Sequence, residues 1–220
     1  MRVFLLFTNM IINYIKAMKK IRSLCILFVM GGICLFPSRL YGRGTSGDEG
    51  DARVNVKLNG LALIGIVNPA VEFRVFDRGT VQLEGIGIFY PSGFPGTDKP
   101  MTLGATFGEF RFYPKRAFEG FYAGANAGWG VYRLAKSLSP GYSHQHPDQY
   151  QVGHNMIFGA TLGYTFNFGR HWSIEVSWSG GWQDSTYEGF NNDGTRYVKL
   201  NGSGEWLPIY KGGIFVGYKF

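Results

Sequence analysis

Tyr210-Lys211-Gly212-Gly213-Ile214-Phe215-Val216-Gly217-Tyr218-Lys219-Phe220 closes the sequence, and its alternation sets the reading of everything before it. Tyr210, Gly212, Ile214, Val216, Tyr218 and Phe220 fall on one side of an extended chain. Lys211, Gly213, Phe215, Gly217 and Lys219 fall on the other. A repeat of two residues is the period of a β-strand with two unlike faces. The stretch is therefore expected to be a strand, with Lys211 and Lys219 near its two ends where a charge reaches water.

The same alternation recurs upstream. The expected strands are 53–64, 70–76, 80–90, 102–113, 121–134, 154–168 and 172–183, with the closing stretch as the eighth. Segment 154–168 alternates most regularly, setting Met156, Phe158, Ala160, Leu162, Tyr164, Phe166 and Phe168 against Asn155, Gly159, Thr161, Gly163, Thr165 and Asn167. Tight turns are expected at 77–79, 114–119 and 169–171, and longer polar loops at 91–100, 135–153 and 188–204, where Gly, Pro, Asn and Asp cluster. Short and long connections thus alternate.

One face of each strand carries large aliphatic and aromatic residues; the other carries Gly, Ser, Thr, Asn and charges. A soluble, lipocalin-like barrel with its apolar face inward is the alternative, but these apolar faces overfill an eight-stranded interior. Turned inside out the pattern is consistent, with apolar residues toward lipid and small polar ones in a narrow lumen. Aromatics near the strand ends (Trp172, Trp182, Phe168, Tyr90, Tyr113, Tyr210) suit two interfacial girdles. The expected fold is all-β: an eight-stranded antiparallel up-and-down transmembrane β-barrel over residues 53–220, after an N-terminal signal peptide.

Charge supports this division. The 220-residue chain has a formal charge of +7, from 22 basic and 15 acidic residues. Arg2, Lys16, Lys19, Lys20, Arg22 and Arg39 precede residue 43, and every acidic residue follows it. The remainder is nearly neutral, so no basic face argues for nucleic acid as a partner. Both cysteines, Cys25 and Cys34, also precede residue 43, so a chain processed there has no thiol chemistry. Lys19, Lys20 and Arg22 lead into the apolar run 23–36, followed by Pro37 and Ser38. This has the form of a secretory signal, and the run is too short to cross a bilayer as a helix. Residues 1–42 are read as that signal, with Met18 as the natural start, 1–17 as an extension and cleavage near Gly42. A lipid anchor at Cys34 is disfavoured, because Ile33 stands where a small residue is needed. Residues 43–52 read as a polar, disordered lead-in.

The terminal aromatic strand resembles the closing strand of bacterial outer-membrane barrels. Lys57-Leu58-Asn59-Gly60-Leu61, Asn68-Pro69-Ala70-Val71-Glu72-Phe73, Glu109-Phe110-Arg111-Phe112-Tyr113 and Arg170-His171-Trp172-Ser173-Ile174-Glu175 are similar to a narrower outer-membrane barrel family with a domain of unknown function. The resemblance covers roughly 54–220. It implies the fold, an outer-membrane location, contact with outer-membrane lipid and lipopolysaccharide, and the barrel-assembly machinery as a partner reading Tyr210, Ile214, Val216, Tyr218 and Phe220. It implies no activity. Some members resemble accessories of surface-fibre gene clusters.

Several side-chain groups are candidates for function. Lys57, Glu72, Arg74, Glu84, Glu109, Arg111 and Glu175 are expected to form a lumen charge network, since buried charges must be paired. The competing reading is a polar, porin-like path for small solutes. His144 and His146, with Asp148 or His154, have the spacing of a metal site, but a loop with scattered acids is a weak setting and no cofactor is expected. His171, Ser173 and Glu175 resemble the triad of lipid A-trimming barrel enzymes, yet they fall at the wrong end for an outer-leaflet substrate. The loops, with Tyr142, His144, His146 and Tyr150 in one and Phe190, Asn191, Asn192 and Arg196 in another, are the expected surface for a partner such as an adhesin. The expected role is structural, adhesive or accessory to a surface assembly, without catalysis; the alternative is a lipid A- or phospholipid-modifying barrel enzyme.

Overall fold

The structure, a computed structural model, describes residues 52–91, 93, 100–135 and 149–220. The expected signal segment, most of the lead-in, most of the loop 91–100 and the core of the loop 135–153 lie outside the described residues. Those described form nine antiparallel strands in one sheet: β1 (Val54–Asn59), β2 (Ile66–Val67), β3 (Pro69–Phe76), β4 (Gly79–Tyr90), β5 (Met101–Phe112), β6 (Gly120–Leu134), β7 (Gln149–Phe168), β8 (Trp172–Asn191) and β9 (Arg196–Lys219). No helix among them is long and apolar enough to cross a membrane.

Eight of the strands close into a ring in the order β1-β9-β8-β7-β6-β5-β4-β3, because β4 pairs with β5 and β1 pairs with both β3 and β9. The first and last strands meet along Asn55↔Lys219 to Asn59↔Phe215. The end is pinned further: Arg53 N donates to Phe220 O at 2.8 Å, and Phe220 N to Val54 O at 2.9 Å.

β3 to β6 match the expected strands to within a residue. Elsewhere the expectation needs correction. The first strand stops at Asn59, whose side chain accepts from Leu61 N at 3.1 Å and turns the chain into one 3-10 turn, Gly60–Ile64. Gly65 ends that turn with φ 84°, and the two-residue β2 follows, pairing with β4 outside the ring. A side chain competing for backbone donors is a common way to end a strand.

The polar segment 188–204 is not a loop. β8 and β9 run through it and are joined by a tight turn at 192–195. There Asp193 accepts from the Thr195 hydroxyl at 2.6 Å and from the Thr195 amide at 2.8 Å. These bonds hold its carboxyl below the usual carboxylate range. β7 likewise starts five residues before the expected position. Polar composition misled most at the start of β9, because a strand exposed on both faces has no apolar alternation to betray it.

Along the ring the burial alternates. The outward side chains are apolar and exposed, as at Phe158 (53 %), Trp172 (55 %) and Trp178 (55 %). The inward ones are polar and buried, as at Glu72 (0 %) and Glu175 (1 %). The interior is not only small and polar, however. Phe107, Tyr113, Tyr122, Ile157 and Phe215 also point inward and are buried. A small apolar layer of Ala105, Phe107 and Ile157 packs with Ile86, Leu103 and Tyr210.

Tyr210 was expected on the outward face and turns inward. Its ring stacks on Phe107 at 5.9 Å, and its hydroxyl donates to Asn126. The cause is a register shift: Ser179 pairs with Lys211 but Gly181 pairs with Leu207, so residues 208–210 oppose the single Gly180. The two extra residues leave the strand in phase on either side but break the alternation within the bulge, where Ile209 is exposed and Tyr210 turns inward.

Glycines on neighbouring strands make room for the inward rings. A Cβ at Gly163 would stand 2.5 Å from the Tyr122 ring. Gly163→Val is therefore expected to destabilise the fold by about 1–3 kcal/mol through overpacking. A lowered midpoint of urea unfolding, followed by tryptophan fluorescence, is the measurement; an unchanged midpoint would contradict the packing described.

Candidate functional site

The interior of the ring is organised by seven charged side chains. Lys57 Nζ on β1 lies 2.6 Å from both Glu72 Oε2 on β3 and Glu175 Oε2 on β8. Arg111 on β5 reaches Glu109 Oε1 through Nε at 2.7 Å. Its terminal nitrogen lies 3.0 Å from Glu175 Oε2 and 3.3 Å from Glu72 Oε2. Lys211 Nζ on β9 lies 2.7 Å from both Glu84 Oε2 on β4 and Glu109 Oε2 on β5.

These pairs cross the ring. β5 and β9 are four strands apart in either direction, so the Lys211–Glu109 pair spans opposite walls. The side chains of one wall therefore reach the other, as an eight-stranded interior allows.

Four carboxylates face three cations. The surplus acceptors are met by neutral donors. Thr80 Oγ1 donates to Glu72 Oε1 at 2.5 Å and Tyr113 OH to the same oxygen at 2.8 Å. Tyr122 OH donates to Glu175 Oε1 at 2.7 Å, while Asn68 Nδ2 and Gln82 Nε2 donate to Glu84 at 3.0 and 3.1 Å. The Arg111 guanidinium also sits 4.4 Å above the Tyr122 ring. In a dry interior each such group would be costly if left without a partner.

Of the residues expected to share a charge network, Lys57, Glu72, Glu84, Glu109, Arg111 and Glu175 are brought together. Arg74 is not part of this cluster. It lines a small cavity of about 70 Å³ at the short-turn end, with Arg116, Glu119, Asn167 and Lys219. Lys211 takes its place. The sequence put Lys211 on the inner face but near a strand end; because β9 begins at Arg196, it lies mid-strand and is buried. Tyr113 was expected in an interfacial girdle, and Tyr122 was assigned to neither face, although it has the parity of Gly124 and Asn126 and so of the inner face.

The other candidates do not converge. His171 Nδ1 lies 3.0 Å from the Lys219 carbonyl oxygen, and its ring stacks on Tyr218 at 5.3 Å. Ser173 Oγ accepts from Asn55 Nδ2 at 3.3 Å, and Glu175 belongs to the ion cluster. No acid–base chain links the three. His144, His146, Asp148 and Tyr142 lie outside the described residues, and His154 stands exposed on β7. Among the described residues no group of three or more His, Cys, Asp or Glu side chains is placed to hold a metal ion. In the closing strand, Ile214, Val216 and Phe220 are exposed on the outer face, and Tyr218 packs edge-on to Trp172 and Phe220 at 5.2 and 4.9 Å.

Arg111 contacts three carboxylates, so Arg111→Met is expected to cost about 3–5 kcal/mol, the penalty for leaving buried charges without their partner. Adding Glu175→Gln should return part of that loss, because one stranded charge is then removed. Urea midpoints of the single and double variants test this; a double variant less stable than the sum of the singles would oppose it.

No curated protein and no solved structure matches the chain. A protein-family comparison matches residues 33–220, and on that match the chain belongs to the family described as Protein of unknown function (DUF3575).

Proposed function

We propose that residues 53–220 form an eight-stranded outer-membrane β-barrel of a bacterial cell, delivered by the N-terminal signal and inserted by the barrel-assembly machinery. The observation that carries this reading is the inversion of burial: an apolar belt outside and a paired ion cluster inside. On β8 the outward apolar positions run from Trp172 through Ile174, Val176 and Trp178 to Trp182. That length suits the roughly 9–11 residues a tilted strand needs to cross a bilayer. Aromatics stand at both limits, with Phe112, Phe121, Phe168, Trp172 and Phe220 at the short-turn end and Phe89, Trp129, Trp182 and Trp206 at the other. Interfacial girdles have this form.

The cluster that spans the ring favours a plugged interior over a porin-like path. The role is then carried by the end with the long connections, which faces outward in a barrel of this kind. Beyond Trp182 the outward residues of β8 become Asp184, Thr186 and Glu188, so the β8–β9 hairpin continues past the belt as a polar extension. Its function is structural, adhesive or accessory to a surface assembly, with lipopolysaccharide around it and a surface protein as the partner class. A lipid-modifying enzyme gains no support from His171, Ser173 and Glu175, which are engaged elsewhere.

Membrane fractionation with heat-modifiable migration in detergent tests the reading. The protein is expected in the outer membrane, migrating faster unheated than boiled; recovery as a water-soluble monomer would overturn it. Deletion of Phe220, whose backbone closes the β1–β9 seam, is expected to lower the outer-membrane level severalfold. Normal levels of the truncated chain would remove the assembly role given to this residue.

A further inference from the structure

Past the apolar belt, an ordered column of side chains stands on the outward face. It comprises Arg133 near the end of β6, Tyr150 at the start of β7, Phe190 near the end of β8 and Arg196 at the start of β9. The Arg133 guanidinium carbon lies 4.5 Å from the centre of the Tyr150 ring. Tyr150 and Phe190 stack at 5.6 Å with an interplanar angle of 16°. Arg196 closes the column 5.4 Å from the Phe190 ring. Stacking of this kind costs each guanidinium one face and leaves its N–H edge available.

The two arginines differ in what that edge meets. Arg196 is paired with Glu188 at 3.2 Å. Arg133 makes no hydrogen bond or ion pair among the described residues. It stands directly beyond Trp129 and Val131, which are outward, apolar and about half exposed. Val131 pairs with His154 and Arg133 with Val152, so His154 is a diagonal neighbour of Arg133 on the same face. Diagonal neighbours lie roughly 7–8 Å apart, but the guanidinium leans over Tyr150, the other diagonal neighbour, and so away from His154. Thr102 lies across from Arg133 on β5 and Thr186 across from His154 on β8. Among the described residues the carboxylates on this face are Glu188, already held by Arg196, and Asp184, which lies across from Met156.

A guanidinium with no counter-ion among the described residues, set at the margin of an apolar belt, has a specific chemical complement. It is an anionic group attached to a hydrophobic body: the body lies on the belt while the anion meets the cation. We propose that Arg133 seats a phosphate of the phosphorylated glycolipid headgroup in the leaflet at the long-connection end, lipid A in chemical class. The planar fork of Arg matches phosphate bidentately, and the Tyr150–Phe190 column fixes its direction before the ligand arrives. Free phosphate is the weaker ligand, because the site is open and supplies no enclosure; acyl chains against Trp129 and Val131 supply the rest. This inference rests on the membrane reading above.

The test uses the full chain folded in detergent micelles, with heat-modifiable migration as the check of folding and native mass spectrometry as the readout. The probes are bisphosphorylated lipid A, the same lipid with its phosphates removed, and inorganic phosphate. Arg133→Gln and removal of the phosphates are each expected to weaken binding about tenfold, the loss typical of one charge-assisted contact, and not to add. Arg133→Lys should fall between, and His154→Gln on the same face and Arg170→Gln at the opposite end should bind as the wild type. Unchanged lipid A binding by folded Arg133→Gln overturns the site and leaves the membrane reading standing. Displacement of the lipid by millimolar inorganic phosphate overturns the lipid as its ligand. A chain that never gives a heat-modifiable form overturns both.

Discussion

The Lys211–Glu109 pair ties together the two most distant walls of the ring. Around it the other charges are shared rather than matched one to one: Lys57 serves two carboxylates, Arg111 three and Lys211 two. Sharing lets three cations hold four carboxylates, with Thr80, Tyr113, Tyr122, Asn68 and Gln82 supplying the remaining donors. The arrangement constrains register more than it adds stability. A slip of one residue in any strand would turn its charges onto the apolar outer face and strand their partners inside. The alternation of the sequence and the ion cluster are thus one constraint seen at two scales.

β9 shows how much local irregularity this requires. Tyr210 and Lys211 are consecutive, yet both face the interior, which a regular strand forbids. The extra residues opposite Gly180 and the positive φ of Gly212 (149°) and Gly213 (141°) make it possible. Tyr210 then covers Phe107 and meets Asn126, while Lys211 crosses to Glu84 and Glu109. A residue with a Cβ at Gly213 would meet the Asn59 side chain at 2.7 Å. The irregular part of the last strand is therefore the part that completes the interior.

The period-two pattern made the strands and their inner charges legible wherever one face was apolar. Glu72, Glu109, Arg111 and Glu175 could be assigned to a common interior because each sits between outward hydrophobes such as Val71, Phe110, Phe112 and Val176. The pattern failed where its physical basis lapsed. Residues 196–205 are exposed on nearly every side, so nothing in their composition separates a strand from a loop. Parity alone places Phe215 inside with Lys211 and Lys219, as found; Tyr122 was missed because an aromatic ring inside looks the same in sequence as one outside, and the signal was in its partner Gly163, which leaves space for it. The early stop of β1 depends on one Asn59 side-chain bond that no periodicity encodes.

The ring is cross-tied at its centre, where buried side chains from opposite walls meet. On the proposed reading, change is then confined to the end beyond the belt. There β8 and β9 leave the closed ring and present polar side chains on both faces. The column Arg133–Tyr150–Phe190–Arg196 runs across β6 to β9 where the belt gives way to this extension. It braces the extension laterally by stacking, which holds in water as well as at an interface because it needs no buried ion pair. The same sheet thus changes its means of cohesion along its length, from paired charges inside the ring to stacked rings and guanidinium groups outside it. That change marks where a rigid support ends and a surface available for recognition begins.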